Sequence, residues 1–161
     1  MYIENKYWNN YIGDTDDSLN LIAFLEDQDS NEISFSEILE KTGLHKQGNN
    51  FRKTVGHLGF TNSMGIYVDF HFAIDVITDL AAILLECKVS GNVDLHELEP
   101  FDTSSRIVKI IATSEDYELL NKILADFSKN PLEYDLYELV PQEDMLKMAE
   151  ICESLKQELL S

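Results

Sequence analysis

The sequence predicts an α+β fold: a small sheet with helices packed on it, and a helix-rich N-terminal half. Three observations support this class. Apolar residues recur at helical spacing through most of the first half, a strand–helix–strand–helix order follows near the end, and no repeat or linker composition divides the chain. At 161 residues with 44% apolar content the chain has the size of one domain, so we expect a single domain over residues 1–161.

Two capped helices are expected in the N-terminal half. The first covers about Ser18 to Gln28 and follows three aspartates, whose negative charge a helix N-terminus favours. The second starts after Ser34, because Ser34 and Glu37 have the spacing of a capping box, and it ends at Gly43. Both helices are thus predicted from their ends as well as from their apolar spacing.

The middle of the chain is predicted to hold a short helix, a strand and a long buried helix. The short helix covers residues 51–58 and the strand covers residues 66–70. From residue 73 to residue 88 the apolar positions recur at helical spacing, and Asp75, Asp79 and Glu86 occupy the remainder. We expect this helix to be the most buried one.

Strand and helix alternate in the C-terminal part. The β-branched run in residues 106–113 is typical of a central strand, and a helix that reaches Phe127 follows it. A second strand is expected over residues 134–140, where apolar and polar residues alternate imperfectly. Pro141 then opens the last helix, because proline suits the first helical position.

The charge of the chain restricts its partners. Twelve basic and thirty acidic residues give a net charge of −18 and a pI near 4.3. A surface of this kind repels nucleic acid and anionic lipid, and it attracts a basic protein. The N-terminus lacks the order of a secretory signal, and the longest apolar window, residues 70–85, is too short and too charged to span a bilayer. We therefore expect a cytoplasmic protein that binds no membrane.

Signals for catalysis and for cofactor binding are weak. Cys87 and Cys152 lie in apolar helical patterns, as buried cysteines usually do, and no paired cysteine or histidine spacing indicates a metal site. The glycines match neither phosphate-binding spacing. We expect no enzyme, no cofactor and no metal. The alternative of a small enzyme would need site residues that meet only in the fold.

One segment departs from the overall charge. Residues 41–68 contain no acid and carry +4, whereas residues 1–40 carry −9 and residues 69–161 carry −13. Together with the helix before Gly43, this segment gives residues 34–59 the outline of a helix-turn-helix, so a DNA-binding regulator is the alternative function. The competing interpretation is a helical hairpin whose basic face pairs with the acidic remainder of the molecule.

Acidic residues crowd three places, which we call the first, second and third clusters. Each cluster has three readings: a solvated rim, a calcium loop, or a surface that mimics phosphate charge and docks into a cationic cleft. Calcium is the weaker option, because the first cluster lacks the glycine and the terminal glutamate of an EF-hand. The candidate partner-binding residues are, cluster by cluster, Asp14, Asp16 and Asp17; Glu26, Asp27 and Asp29; and Glu97, Glu99 and Asp102.

The segment Tyr7-Trp8-Asn9-Asn10-Tyr11-Ile12-Gly13-Asp14-Thr15-Asp16-Asp17-Ser18 resembles the N-terminal stretch of some bacterial immunity proteins. These are the cognate antitoxins of contact-dependent growth inhibition and related polymorphic toxin systems. The resemblance implies a cytoplasmic, non-enzymatic inhibitor that binds the C-terminal toxin domain of its own system. Read physically, the same segment is a structural corner in which Gly13 allows a sharp chain reversal.

The leading interpretation combines the resemblance with the charge. The protein is expected to neutralise a toxin domain, a basic nuclease, by occluding its active site or substrate path with an acidic surface. A structural adaptor would have the same sequence features, so this alternative stays open.

Overall fold

The computed structural model describes residues 1–101 and 106–161. In these ranges the helices and strands are α1 Tyr2–Lys6, α2 Asp16–Glu26, β1 Glu32–Ser34, α3 Phe35–Thr42, β2 Leu58–Thr61, β3 Tyr67–Phe70, α4 Ala73–Ser90, β4 Val93–Asp94, α5 Leu95–Leu98, β5 Ile107–Ile111, α6 Ser114–Lys129 and α7 Gln142–Leu159. Short 3-10 helices cover Leu44–Gln47, Pro131–Glu133 and Asp135–Glu138. Helices dominate and the sheets are small, which confirms the α+β class.

β5 is the central strand of a three-stranded sheet, as its β-branched sequence predicts. It pairs in parallel with β1, where Ile110 lies opposite Ile33, and antiparallel with β4, where Val108 lies opposite Val93. Along β5, buried residues alternate with exposed ones, so one face of this sheet packs on the core. β2 and β3 form a separate antiparallel hairpin.

α4 passes through the middle of the core. It packs against α1, α2, α7, β4 and β5, and 15 of its 18 residues are buried. The prediction of a most buried helix is therefore confirmed. Because neighbours cover all sides of α4, its acids Asp75, Asp79 and Glu86 are buried as well.

The segment from Tyr7 to Ser18 folds into a corner that α4 holds in place. Gly13 has a φ of +79°, and a Cβ added there would lie 2.3 Å from the Trp8 ring. The Gly13 N–H donates to Asp79 Oδ1 (2.9 Å), and Ser18 Oγ donates to Asp79 Oδ2 (2.6 Å). The chain reversal expected at Gly13 is therefore present, and a buried carboxylate fixes it.

Two predicted elements are wrong. No helix covers residues 51–58: the segment after the 3-10 helix is irregular, and Leu58 already belongs to β2. No strand covers residues 134–140, where a 3-10 helix over Asp135–Glu138 is found instead. The two segments dock on each other, because the Asp135 N–H donates to the Arg52 carbonyl (2.8 Å) and the Thr54 N–H donates to Asp135 Oδ2 (2.8 Å). Contacts between these two segments, which are distant in sequence, thus determine their conformation, and the local apolar periodicity does not.

Candidate partner-binding surface

The basic segment does not form a DNA-reading unit. The second helix that a helix-turn-helix needs is absent from residues 48–57, and the guanidinium of Arg52 is used inside the fold. It donates to both carboxylate oxygens of Asp126 (2.7 and 2.9 Å) and lies 3.1 Å from Glu133. Arg52 holds the pKa of Asp126 down at about 2. The pairing of Arg52 with acids elsewhere in the molecule agrees with the competing interpretation, but the second helix of the hairpin that it expected is absent as well.

The exposed side of α2, which we call the α2 face, connects two of the acidic clusters. Its residues follow each other at helical spacing: Asp16, Leu19 and Ala23 are exposed, and Asn20 and Glu26 are half-buried. Asp16 and Glu26 are ten residues apart, which corresponds to ~15 Å along a helix axis. The opposite side of α2 is buried in the core through Leu21, Ile22 and Leu25. A recess lies at each end of the α2 face.

The recess at the C-terminal end of α2, here named the hairpin groove, has a volume of about 530 Å³. Its acids are Glu26 and Asp27 of the second cluster and Glu99 of the third, so the fold brings members of two clusters together. Its apolar lining includes Leu19 and Met64, of which 41% and 77% are exposed. The groove therefore combines negative charge with apolar side chains that water still reaches.

The walls of the hairpin groove are fixed by hydrogen bonds. Asp27 Oδ2 accepts from the Ser63 N–H (2.9 Å), which ties the end of α2 to the β2–β3 turn. The guanidinium of Arg106 donates to the Glu26 and Gln28 carbonyls, where the negative end of the α2 dipole lies. Glu26 Oε2 is buried without a hydrogen-bond partner among the described residues.

The first cluster is divided by the fold. Asp14 and Asp16 are exposed, whereas Asp17 is only 2% exposed. The carboxylate of Asp17 accepts from the His71 N–H (2.8 Å) and the Phe72 N–H (3.0 Å), directly before α4. Asp17 therefore supports the start of α4 and offers no free charge to a partner.

The recess at the N-terminal end of α2, here named the Asp75 pocket, has a volume of about 480 Å³. Asp16, Asp17 and Asp75 line it together with His71 and several apolar side chains. Asp75 is 5% exposed, and burial, with the charges of Asp17, Asp14 and Asp135, raises its pKa to about 7. The pocket thus holds a buried carboxyl group that is partly protonated at neutral pH.

The remaining candidate residues lie apart from these recesses or outside the described structure. Asp29 is exposed in the loop after α2, and Glu97 is exposed on α5. Asp102 falls outside the described residues. The structure thus gathers Glu26, Asp27 and Glu99 in one groove, and it brings neither Asp29 nor Glu97 into the lining of that groove.

Sequence reasoning did not select Asp75, Met64 or Leu139 as site residues. Asp75 stands between Ile74 and Val76 at the start of an apolar helix, and an acid in such a position is a signal for an unusual environment. Met64 occupies a polar turn, and exposure of an apolar side chain there is a second signal. Leu139 carries no comparable sequence signal.

The described residues contain neither a cluster suited to a metal ion nor a helix suited to a membrane span. No group of three or more His, Cys, Asp or Glu side chains within residues 1–101 and 106–161 is placed to hold a metal ion. No helix in the same ranges has the length and apolarity that a membrane span requires. Cys87 and Cys152 are buried free thiols, as expected, and burial raises the pKa of both.

Comparison with protein families gives one match of nearly full length. The family described as Immunity protein 68 matches residues 2–159. No curated protein and no solved structure matches the chain. The family match confirms the resemblance carried by Tyr7 to Ser18 and indicates that the partner is a cognate toxin protein. With 158 of its 161 residues matched, the chain belongs to the Immunity protein 68 family.

Proposed function

We propose that this immunity protein neutralises a basic nuclease toxin domain by covering its active site or substrate path with the α2 face and the hairpin groove. One observation carries the proposal: Glu26, Asp27 and Glu99 converge on a groove that also exposes Leu19 and Met64. Tight interfaces combine these features, since a few apolar anchors are surrounded by charged groups that pair across the boundary.

The chemistry of nucleic-acid cleavage supports a nuclease as the target. A nuclease must hold phosphates, and it does so with a cleft rich in lysine and arginine. Carboxylates spaced along a protein surface satisfy the same cations. Residues outside the basic segment carry −22, so the field of the whole molecule would also accelerate the encounter.

Occlusion requires no catalytic step from the immunity protein. Immunity proteins of such families are generally not enzymes. We place the encounter in the cytoplasm, because a nuclease toxin reaches its nucleic acid there. Inhibition then depends on affinity and on the area covered, and both are properties of the surface described above.

The test reverses two charges of the third cluster, of which Glu99 lines the groove, and compares them with a matched pair elsewhere. The variant Glu97→Lys with Glu99→Lys changes the third cluster, and the control Glu115→Lys with Glu118→Lys makes the same change in net charge on α6. The partner is the toxin domain encoded by the adjacent gene, in a catalytically inactive form. Stopped-flow association is measured between 20 mM and 500 mM salt.

We expect the groove variant to associate roughly tenfold more slowly at low salt and with a weaker salt dependence, while the α6 control changes little. Equal rates for the two variants would contradict electrostatic docking at the groove. The nuclease assignment has its own readout: the active toxin domain should degrade DNA or RNA, and an equimolar amount of the immunity protein should stop it. A toxin domain that leaves both nucleic acids intact would overturn that assignment.

A further inference from the structure

Asp75 differs from the two other buried aspartates around the N-terminal corner. The carboxylate of Asp17 accepts two backbone N–H groups, and that of Asp79 accepts the Gly13 N–H and the Ser18 hydroxyl. No described residue donates a hydrogen bond to the carboxyl group of Asp75, although this residue is 95% buried. The fold therefore gives the first two carboxyl groups internal hydrogen-bond partners, and among the described residues it gives the third none.

The Asp75 carboxyl group belongs to a recess that opens at the surface. The walls of the Asp75 pocket come from the start of α2, the start of α4 and the 3-10 helix Asp135–Glu138 with the residues after it. Its apolar lining consists of Phe72, Leu136, Leu139 and Val140. Leu139 is 74% exposed and Asp16 is exposed, so the rim is accessible from solvent.

These features fit a long cationic side chain. Lysine and arginine place an apolar stem along apolar walls and carry their charge at the tip. A buried acid that has no partner is costly when ionised, and a cation that enters removes that cost. A metal ion fits less well, because the described residues offer no set of three ligating groups.

We propose that the Asp75 pocket receives one lysine or arginine side chain of the toxin domain, which pairs with Asp75 at the base and Asp16 at the rim. The assignment of that side chain to the toxin domain rests on the function proposed above. The preference of the pocket for a cationic side chain does not depend on that function. The site extends the contact surface beyond the hairpin groove to the N-terminal end of the α2 face.

Proton release follows from this pairing. A cation in the pocket favours the ionised form of Asp75, so complex formation should release a proton near pH 7 and become tighter as the pH rises through that value. The titratable groups that face Asp75 from the surrounding elements are Asp14, Asp16, Asp17, His71, Asp79, Asp135 and Cys152. The charges of Asp17, Asp14 and Asp135 contribute to the raised pKa of Asp75, so this environment attracts a cation.

The main experiment uses Asp75→Asn, which keeps the shape and removes the charge. We expect the Kd for the inactive toxin domain to increase at least tenfold at pH 8 and much less at pH 6, while the melting temperature of the free variant does not fall. The matched control is Glu118→Gln, an exposed acid on α6. Substituting the lysines and arginines of the toxin domain one by one should identify a single position whose effect disappears in the Asp75→Asn background.

The outcomes separate the two proposals. A complex whose Kd and pH profile are the same for wild type and Asp75→Asn overturns the pocket assignment and leaves the hairpin groove proposal standing. If the toxin domain forms no complex at all, the proposed function fails, and n-butylammonium and ethylguanidinium then test the pocket alone. Saturable NMR shifts at His71, Phe72 and Leu139 that are lost in Asp75→Asn support the pocket, and their absence overturns it.

Discussion

Gly13 combines a left-handed backbone with close contact to an aromatic ring. Both the φ of +79° and the 2.3 Å approach of an added Cβ to Trp8 oppose any larger residue. We expect Gly13→Ala to lower the free energy of unfolding by about 3 kcal/mol, because the clash adds to the backbone strain. Urea denaturation followed by the fluorescence of Trp8 measures this loss.

Gly65 provides a control for the backbone contribution alone. Its φ of +78° is nearly the same, but an added Cβ meets no atom within 4 Å. Gly65→Ala should therefore cost only about 1 kcal/mol. Similar losses for the two variants would show that the contact with Trp8 contributes nothing.

Individual residues were predictable where their chemistry acts locally. The reversal at Gly13 and the burial of both cysteines follow from their immediate sequence. The burial of Asp17, Asp75 and Asp79 cannot be predicted from their immediate sequence. Helical spacing assigns one apolar stripe to α4, whereas α1, α2 and α7 cover the other sides from distant parts of the chain.

At the level of elements, Arg52 joins an irregular segment to α6 and to the turn after it. We expect Arg52→Ala to loosen residues 48–57 and the 3-10 helix Asp135–Glu138, because its bidentate contact with Asp126 is lost. Amide hydrogen exchange should become roughly tenfold faster at Thr54 and Asp135, whose N–H groups bond across the two segments.

Lys53 is the matched control, since it is an exposed cation next to Arg52. Lys53→Ala should leave exchange at both amides unchanged. Neither the wild type nor either variant should be retained on DNA at low salt. Retention of the wild type that is lost on removing either cation would restore the alternative function assigned to residues 34–59.

The elements that could be predicted are those whose ends carry their own signals. Ser34 accepts a hydrogen bond from the Glu37 N–H and Gly43 has a φ of +83°, so α3 begins and ends where its sequence indicates. The segment 51–58 has apolar spacing but contains Gly56 and is followed by Gly59, and only its docking on residues 134–140 decides its shape. No local pattern reveals that contact.

For the whole molecule, pH should change stability because two acids are buried in α4. Burial raises the pKa of Asp75 to about 7 and that of Asp79 well above its ordinary value. In the unfolded chain both groups ionise near pH ~4. The folded state therefore binds more protons between these values, and its stability must fall as the pH rises.

We expect Asp75 alone to lower the free energy of unfolding by about 2 kcal/mol between pH 5.5 and pH 8, and Asp75→Asn to remove this part of the decrease. Asp126, whose pKa is lowered to about 2, contributes the same stabilisation at both pH values and so does not affect this difference. Circular dichroism and Trp8 fluorescence should report one coincident transition if residues 1–161 form a single domain, which stays a prediction. A stability that rises toward pH 8 would contradict the assignment of buried, partly protonated acids.

The candidate surface could be predicted in composition but not in arrangement. The sequence shows three acidic clusters, and all three contain exposed charge. Only the fold shows that Glu26, Asp27 and Glu99 share a groove, because Glu99 comes from a part of the chain more than seventy residues away. The pocket around Asp75 depends in the same way on Leu139, which lies more than sixty residues further along the chain.

The two sides of α2 separate folding from recognition, and this separation has an evolutionary consequence. The core depends on Leu21, Ile22 and Leu25, while the exposed positions Asp16, Leu19 and Ala23 lie outside it. Substitutions at the exposed positions can accumulate without loss of the fold. The same fold can therefore keep binding a toxin whose surface residues change during evolution. A newly arisen toxin variant would then select for changes along this one stripe, and related chains should differ most at these three positions.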